Sequence, residues 1–174
     1  MKEMRYILAK VRSKFSNKPK EVMSTYFRRA GMKIGQNCNI CCNILTTEPY
    51  LIEIGDNVTI SGGVHLVTHD NSISKVDSSK TDVFGRIRIG NDCFIGQNSV
   101  VLYGVTLGDC IIVGSGSVVT KSFYEKGIII GGNPAKKIGT WDSFCKKNNS
   151  FSINVNGLSN EKRKEMILLH LVER

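Results

Sequence analysis

The sequence of 174 residues is 41% hydrophobic and carries a formal net charge of +9. This length favours a single domain, and the hydrophobic content excludes a chain that is disordered by composition. No apolar run approaches the roughly 20 residues that a membrane-spanning helix requires, and residues 1–15 lack the uninterrupted apolar stretch of a signal peptide. We therefore expect a cytoplasmic protein with a hydrophobic core.

The N-terminal segment, residues 1–33, holds most of the positive charge. It contains ten Lys and Arg residues against Glu3 and Glu21, a net of +8, whereas residues 34–174 have a net of +1. The segment predicts a helix, a break at Asn17-Lys18-Pro19 and a second short helix. The apolar residues of the first helix fall on one face: Met4, Ile7, Val11 and Phe15. Basic helices of this kind occur on solvated surfaces and at anionic membranes, and both interpretations stay open.

From residue 34 onwards an aliphatic residue returns every six positions. These first positions are Ile34, Ile40, Ile54, Ile60, Leu66, Ile89, Ile95, Val101, Leu107, Val113 and Val119, and six of these eleven residues are followed by glycine. A period of six matches neither a helix nor a long alternating strand, but it matches a short strand and a turn, repeated. Three units make one coil, and stacked coils bury the first positions in a parallel β-helix. An ordinary β-sandwich would instead show hairpin turns about 8–12 residues apart.

The spacing of the repeats is interrupted twice. The predicted coils start at residues 34, 54, 89 and 107, which leaves a small bulge around residues 46–50 and a long insertion, roughly 72–86. Compact folds rarely contain an insertion of this length without a function. The repeat domain is predicted over residues 34–139.

The C-terminal tail, residues 140–174, follows a different pattern. Residues 142–157 are polar and predict irregular structure, whereas 158–174 predict a helix with Ser159 as its N-cap.

The candidate chemistry centres on one of three histidines. His69 begins the insertion and is followed by Asp70, whereas His65 lies within a repeat and His170 lies in the tail. Because the chain lacks the G-x-S-x-G and Walker motifs, a lone histidine favours general-base catalysis. The Cys38-x-x-Cys41-Cys42 cluster lacks the second Cys or His pair of a structural zinc site, so free thiols are expected.

Two segments resemble a known family. The segment IGNDCFIGQNSVVLYGVTLGDCIIVGSGSVVTKSF and the following GGNPAKKI closely resemble the hexapeptide-repeat acetyltransferases, nearest to the maltose, galactoside and nodulation-factor O-acetyltransferases. The similarity covers about residues 32–139. The combination of G-V-H-x-x-T-H, an insertion, V-V-T-K and G-N-P-A-K is more specific than the hexads alone.

The resemblance implies a fold and an assembly. The expected core is all-β, a left-handed parallel β-helix with short N- and C-terminal helices and one inserted active-site loop. The family forms homotrimers with active sites between subunits, uses acetyl-CoA as cosubstrate and requires no metal.

The resemblance also assigns residues. His69 matches the catalytic base, and its second ring nitrogen would be oriented by Asp70 or a main-chain carbonyl. The coenzyme-contact positions are Ser115, Thr120, Lys121 and Lys136. Phe94 stands where the family often has Trp, and Cys41 stands where this branch has Asn, with Asn43 two residues on. These differences leave the oxyanion donor unassigned.

The expected function is direct acetyl transfer from acetyl-CoA to a hydroxyl group of a sugar or surface-glycan precursor. The basic N-terminus adds the hypothesis of peripheral contact with the inner face of the membrane. One alternative is an amine, antibiotic or serine acceptor on the same fold. A second is a metal enzyme such as a γ-type carbonic anhydrase, whose site needs three histidines. A third is a scaffold or nucleic-acid binder, which the nearly neutral repeat domain disfavours.

Overall fold

A computed structural model of the chain describes residues 2–172. The helices are α1 (Lys2–Lys14), α2 (Pro19–Arg29), α3 (Trp141–Asn148) and α4 (Asn160–Leu169). The strands are β1 (Lys33–Ile34), β2 (Asn39–Ile40), β3 (Ile52–Ile54), β4 (Thr59–Ile60), β5 (His65–Leu66), β6 (His69–Asp70), β7 (Val83–Phe84), β8 (Ile87–Ile89), β9 (Phe94–Ile95), β10 (Val100–Val101), β11 (Thr106–Leu107), β12 (Ile111–Val113), β13 (Val118–Val119), β14 (Ile128–Gly131) and β15 (Lys136–Thr140). The chain divides into two compact units, one ending at Ile138 and the other beginning at Gly139.

The N-terminal helices pack against the first repeats. Helix α2 begins at Pro19, where a missing N–H costs no hydrogen bond. Its Met23 and Phe27 are buried in the core. The Arg28 side chain donates to the carbonyl of Ile34 at 2.7 Å and pairs with Glu21 at 2.6 Å. Both predicted helices are therefore present, and α2 connects to the start of the first coil.

Three sheets carry the repeats, and the chain passes through them in turn; apart from β15, at the edge of the second sheet, their strands pair in parallel. The first sheet has the order β1-β3-β8-β11, the second β15-β14-β12-β9-β4-β2, and the third β13-β10-β5. In the first sheet Ile34 is level with Ile54, Ile54 with Ile89, and Ile89 with Leu107. All eleven predicted first positions are buried. The predicted hexad register is confirmed.

Polar side chains connect successive coils at one corner. The Asp56 side chain accepts a hydrogen bond from the backbone N–H of Gln36 in the preceding coil. In the same way Asn91 accepts from the N–H of Asp56, and Asp109 accepts from the N–H of Asn91, all at 2.6–2.9 Å. The fifth residue of seven hexads is small or β-branched and buried: Cys38, Val58, Val64, Cys93, Ser99, Val105 and Ser117. Burial raises the pKa of the Cys93 thiol to about 11. These side chains fit the narrow interior of the stack.

The insertion folds back on itself as a hairpin. Strands β6 and β7 pair antiparallel, and a short 3-10 turn at Ser72–Lys75 lies within the intervening loop. The N–H of Gly85 donates to the carbonyl of Thr68 at 3.0 Å, so the two ends of the insertion meet. Stacking resumes in β8 at Ile87, directly after the predicted insertion of residues 72–86.

The second unit differs from its sequence prediction. The expectation of irregular structure over residues 142–157 is wrong at its start, because α3 occupies Trp141–Asn148. Thr140 caps α3 by accepting from the N–H of Ser143. Helix α4 has the predicted cap, Ser159, but it ends at Leu169, and residues 173–174 lie outside the described residues. Among the described helices, none is long and apolar enough to cross a membrane.

Candidate functional site

His69 lies at the base of the hairpin insertion, three residues after the first-position Leu66. It pairs with Phe84 across the hairpin, and the two ring centroids are 5.8 Å apart. The His69 side chain is 40% exposed. The imidazole is therefore held on a β-strand while part of it stays open to a ligand.

A carboxylate lies against one ring nitrogen of His69. Glu48 Oε2 is 2.8 Å from His69 Nδ1 and also accepts a hydrogen bond from Thr68 Oγ1 at 2.9 Å. The Thr46 hydroxyl lies 2.7 Å from that of Thr68 and accepts from the Glu48 N–H at 3.1 Å. Because the Thr68 hydrogen is directed to Glu48, Thr46 donates to Thr68. The four polar groups form a closed network that fixes the carboxylate.

Hydrogen bonds reinforce the ionised state of Glu48, which fixes the tautomer of His69. The side-chain hydrogen bond from Thr47 is the largest cause that lowers the Glu48 pKa, and those from Thr68 and His69 add to it. Glu48 is therefore ionised at neutral pH, and an ionised carboxylate only accepts hydrogen bonds. Nδ1 of neutral His69 must then carry the hydrogen, which leaves Nε2 with a free lone pair.

Asp70, the sequence-based candidate for orienting His69, has a different contact. Its Oδ1 accepts from the backbone N–H of Ser72 at 2.8 Å, and this hydrogen bond is the main reason its pKa is lowered. Asp70 thus initiates the 3-10 turn of the insertion. The acceptor at His69 Nδ1 is the side chain of Glu48, which is neither of the two groups suggested by the sequence.

A small pocket of about 210 Å³ opens beside His69. Its walls are Asn43, Leu45 and Thr46 on one side and residues 64–69 on the other. Asn43 therefore lies in the same pocket as His69. Phe94 does not, because it belongs to the second sheet, where it is 43% exposed, whereas His69 follows the third.

The four proposed coenzyme contacts are distributed over two sheet edges. Thr120 and Lys121 follow strand β13, which is two strands away from β5 in the third sheet. Leu66 and Val119 are level and two strands apart, so the chain leaves this sheet towards His69 and towards Lys121 at points about 10 Å apart, at about 4.8 Å per strand. Ser115 follows β12 in the second sheet, and Lys136 begins β15.

The side chains at these positions are compatible with a phosphorylated coenzyme. Ser115, Thr120, Lys121 and Lys136 are all exposed. Within the part of the chain whose side chains are described, neither lysine forms an ion pair. Lys121 Nζ lies 5.7 Å from the Phe123 ring centroid, so its ammonium is held near the surface. Two uncommitted ammonium groups suit phosphate oxygens.

Two residues of the site were not identified from the sequence. Glu48 lies in the bulge before β3 and is 21 positions from His69, and no repeat position relates the two. Phe84 lies at the far end of the insertion, where it is 55% exposed. The sequence does distinguish Phe84, because it is an aromatic residue in an otherwise polar insertion. Among the described residues, no cluster of three or more His, Cys, Asp or Glu side chains is arranged to hold a metal ion.

Sequence comparisons identify relatives of the chain. Residues 86–121 match the family model described as a hexapeptide repeat of succinyl-transferase. The chain is 42% identical over 122 residues to Protein CapG of Staphylococcus aureus, an alignment that covers 67% of this chain and 70% of that protein. It is 31% identical over 110 residues to the galactoside O-acetyltransferase of Escherichia coli K12, covering 63% of this chain and 54% of the relative. The chain thus spans about half the length of the second protein.

A structural comparison agrees with these matches. A solved galactoside acetyltransferase in complex with coenzyme A has a TM-score of 0.57 and 21% identity to this chain, covering 87% of this chain and 88% of the other. At this identity the likeness shows a shared fold. The resemblance carried by the hexads and the closing G-N-P-A-K segment is confirmed. The chain belongs to the hexapeptide-repeat acetyltransferase family.

Proposed function

We propose that this protein is an acetyl-CoA-dependent O-acetyltransferase whose acceptor is a hydroxyl group of a sugar or surface-glycan precursor. The observation that carries the proposal is the 2.8 Å contact between His69 Nδ1 and the fixed carboxylate of Glu48, with the partly exposed imidazole lining a pocket. The E. coli galactoside O-acetyltransferase, 31% identical, supports a sugar acceptor.

In this proposal His69 is the general base. Glu48 accepts a hydrogen bond from Nδ1–H, so Nε2 is the nitrogen that takes the proton of the acceptor hydroxyl. As this proton leaves, the hydroxyl oxygen attacks the acetyl carbonyl carbon. The new C–O bond forms as the C–S bond of the thioester breaks, and the proton held on Nε2 passes to the departing thiolate. The Glu48 carboxylate stabilises the imidazolium formed between these two transfers.

Acetyl-CoA supplies the activated acetyl group as a thioester. Ser115, Thr120, Lys121 and Lys136 are the side chains proposed to hold the coenzyme, with the two lysines meeting its phosphates. Phe84 offers an exposed apolar surface beside His69 for the apolar face of a sugar ring.

The assembly proposed for this chain is a homotrimer of left-handed β-helices. Phe94 supports it, because this exposed aromatic residue lies on a different sheet from His69 and becomes a site residue if a neighbouring subunit presents its His69 there. The expected site therefore lies between two subunits, with the hairpin insertion of one subunit facing the coil wall of the next.

The decisive experiment removes the imidazole. His69→Ala should lower kcat by about 10²- to 10⁴-fold, the usual contribution of a general base. Acetyl-CoA should still raise the melting temperature of this variant, because binding to the folded state is retained. His170→Ala, in the second unit, is the control and should behave as the wild type.

Acceptor class is tested in the same assay. A panel of sugars, amines and serine is supplied with acetyl-CoA, and the product is identified by mass and by its sensitivity to hydroxylamine, which cleaves esters and spares amides. Near-wild-type turnover by His69→Ala contradicts the mechanism, and an amide product contradicts the O-acetyltransferase assignment.

A further inference from the structure

A second and larger cavity lies between the N-terminal helices and the segment that precedes β3. This groove has a volume of about 780 Å³ and is bounded by α1, α2 and residues 43–49. Its apolar lining includes Leu8, Ala9, Val22, Ile44, Leu45 and Pro49. Concave, mostly apolar cavities of this size are typical of ligand sites.

The groove is also strongly positive. Arg5, Arg12, Lys18 and Arg29 line it, and within the described side chains none of the four forms an ion pair. The acidic residue of the lining, Glu21, is already neutralised by Arg28 at 2.6 Å. The groove therefore combines an apolar lining with four cations that form no ion pair with the other described side chains.

Helix α1 presents apolar side chains to the outside next to this groove. Its inward face consists of Tyr6, Ala9 and Ser13, which are half-buried or buried. The face predicted from the sequence points away from the core, with exposed fractions of 67%, 59%, 49% and 86% for Met4, Ile7, Val11 and Phe15. A long apolar chain in the groove could therefore extend along α1 and still remain in contact with apolar side chains.

The groove adjoins the catalytic pocket. Asn43, Leu45 and Thr46 line both cavities, and Thr46 belongs to the network that fixes Glu48 beside His69. A ligand that fills both cavities would place one end at His69 and the other between α1 and α2.

We propose that the acceptor is an anionic amphiphile, a sugar joined through phosphate to a long apolar chain. Its sugar lies at His69, its phosphate meets the cations of the groove, and its chain lies on the apolar lining. This inference rests on the proposed function and specifies its substrate class. A free sugar would leave the groove unused, a sugar phosphate would leave its apolar lining unused, and an uncharged glycolipid would leave four cations without a partner.

Binding is tested without turnover. Farnesyl monophosphate is titrated into the full chain by calorimetry, with inorganic phosphate as the comparison, and should bind at least tenfold more tightly than phosphate. Arg12→Glu should weaken farnesyl phosphate binding at least tenfold. Lys14→Glu is the matched control, because Lys14 lies on the same helix, is exposed and lies outside the groove, and the charge change is equal. It should leave binding unchanged.

Several outcomes overturn the proposal. If farnesyl phosphate binds no more tightly than inorganic phosphate, the groove is not a site for an amphiphile. If Arg12→Glu and Lys14→Glu lose farnesyl phosphate affinity equally, the effect comes from the overall charge of the helix and not from the groove. If neither variant affects farnesyl phosphate but both reduce sedimentation with phosphatidylglycerol vesicles, the face binds a bilayer instead. Arg29→Glu replaces Arg12→Glu if the latter fails to unfold cooperatively.

Turnover separates this inference from the proposed function. The free sugar that is acetylated in the acceptor panel is compared with the same sugar linked through phosphate to farnesol. The linked form should have a KM at least tenfold lower at similar kcat, and Arg12→Glu should remove this advantage without changing KM for the free sugar. If the free sugar is acetylated and the linked form has no advantage, the amphiphile is wrong and the proposed function stands. If no sugar is acetylated, the proposed function fails, and the calorimetry still decides the groove.

Discussion

At the scale of single residues, the contact between Glu48 and His69 makes a prediction. Glu48→Gln keeps the shape of the side chain but removes the charge that stabilises the imidazolium. We expect kcat to fall about 10- to 100-fold, part of the general-base contribution. KM for acetyl-CoA should not change, because the hydrogen bonds of Glu48 go to Thr46, Thr68 and His69 and not to the residues proposed to hold the coenzyme. Steady-state kinetics measures both quantities.

Asp70→Asn is the control for this substitution. Its carboxylate caps Ser72 and does not contact His69 Nδ1 in the structure, so kcat should stay within about twofold of the wild type, as expected for a group outside the proton transfer. If Asp70→Asn lowers kcat as much as Glu48→Gln does, Asp70 orients the imidazole during turnover and our assignment of Glu48 is wrong. If both variants melt at the temperature of the wild type, a folding defect is excluded as the cause.

The same residues show what a sequence can and cannot reveal at this scale. The position of His69 follows from the repeat, because the hexads locate the corner where the insertion begins. Its partner does not, because Glu48 reaches it from the other irregular segment, and the distance between two irregular segments depends on how both fold. Asp70 was the natural candidate because it is adjacent in sequence, but neighbouring strand residues point to opposite faces.

At the scale of the elements, the glycines after the first positions make a second prediction. Gly96 has no positive φ, but a Cβ there would lie 2.5 Å from the backbone nitrogen of Ser115 and 2.6 Å from the carbonyl oxygen of Val113. Backbone atoms of the next coil cannot move without shifting the stack. Gly96→Ala should lower the free energy of unfolding by about 1–3 kcal/mol, as overpacking does.

Gly62 provides the matched control for the same substitution. It also lies in the repeats without a positive φ, and nothing lies within 4 Å of a Cβ placed there. Gly62→Ala should therefore leave the free energy of unfolding unchanged or raise it by up to about 1 kcal/mol. Denaturant unfolding at one fixed protein concentration compares both variants, and equal destabilisation would show that crowding between coils does not explain the hexad glycines.

The elements differ in how well the sequence predicted them. The coils were predictable because each first position is level with its equivalent in the next coil, so one repeated contact determines the whole stack. Helix α3 was missed because its eight residues make little more than two turns, too few for the apolar spacing to repeat. Its signal was the cap, in which Thr140 and Ser143 satisfy each other's backbone N–H groups.

At the scale of the whole molecule, the acidic groups determine how stability depends on pH. Hydrogen bonds and ion pairs lower the pKa values of a set of carboxyl groups distributed over the first unit: Glu48, Glu53, Asp70, Asp77 and Asp109. A lowered folded-state pKa contributes stability above the ordinary value of about 4, and this stability is lost as the pH falls through the lowered value. Protonation also increases the net positive charge of a chain that already carries +9.

We therefore expect a melting temperature that changes little between pH 7 and 5 and falls steeply below about pH 4. Glu53→Gln tests the cause, because Glu53 joins Lys33, Arg86 and Arg88 at 3.1–3.4 Å across neighbouring coils. At pH 7 the variant should melt below the wild type, by the small amount that partly exposed ion pairs contribute. The difference should shrink towards pH 3, where the wild-type carboxyl is itself protonated.

Two results would contradict this account. A difference between Glu53→Gln and the wild type that persists at pH 3 would mean that Glu53 stabilises the stack through packing. A wild-type melting temperature that stays constant below pH 4 would mean that these carboxyl groups do not control acid unfolding.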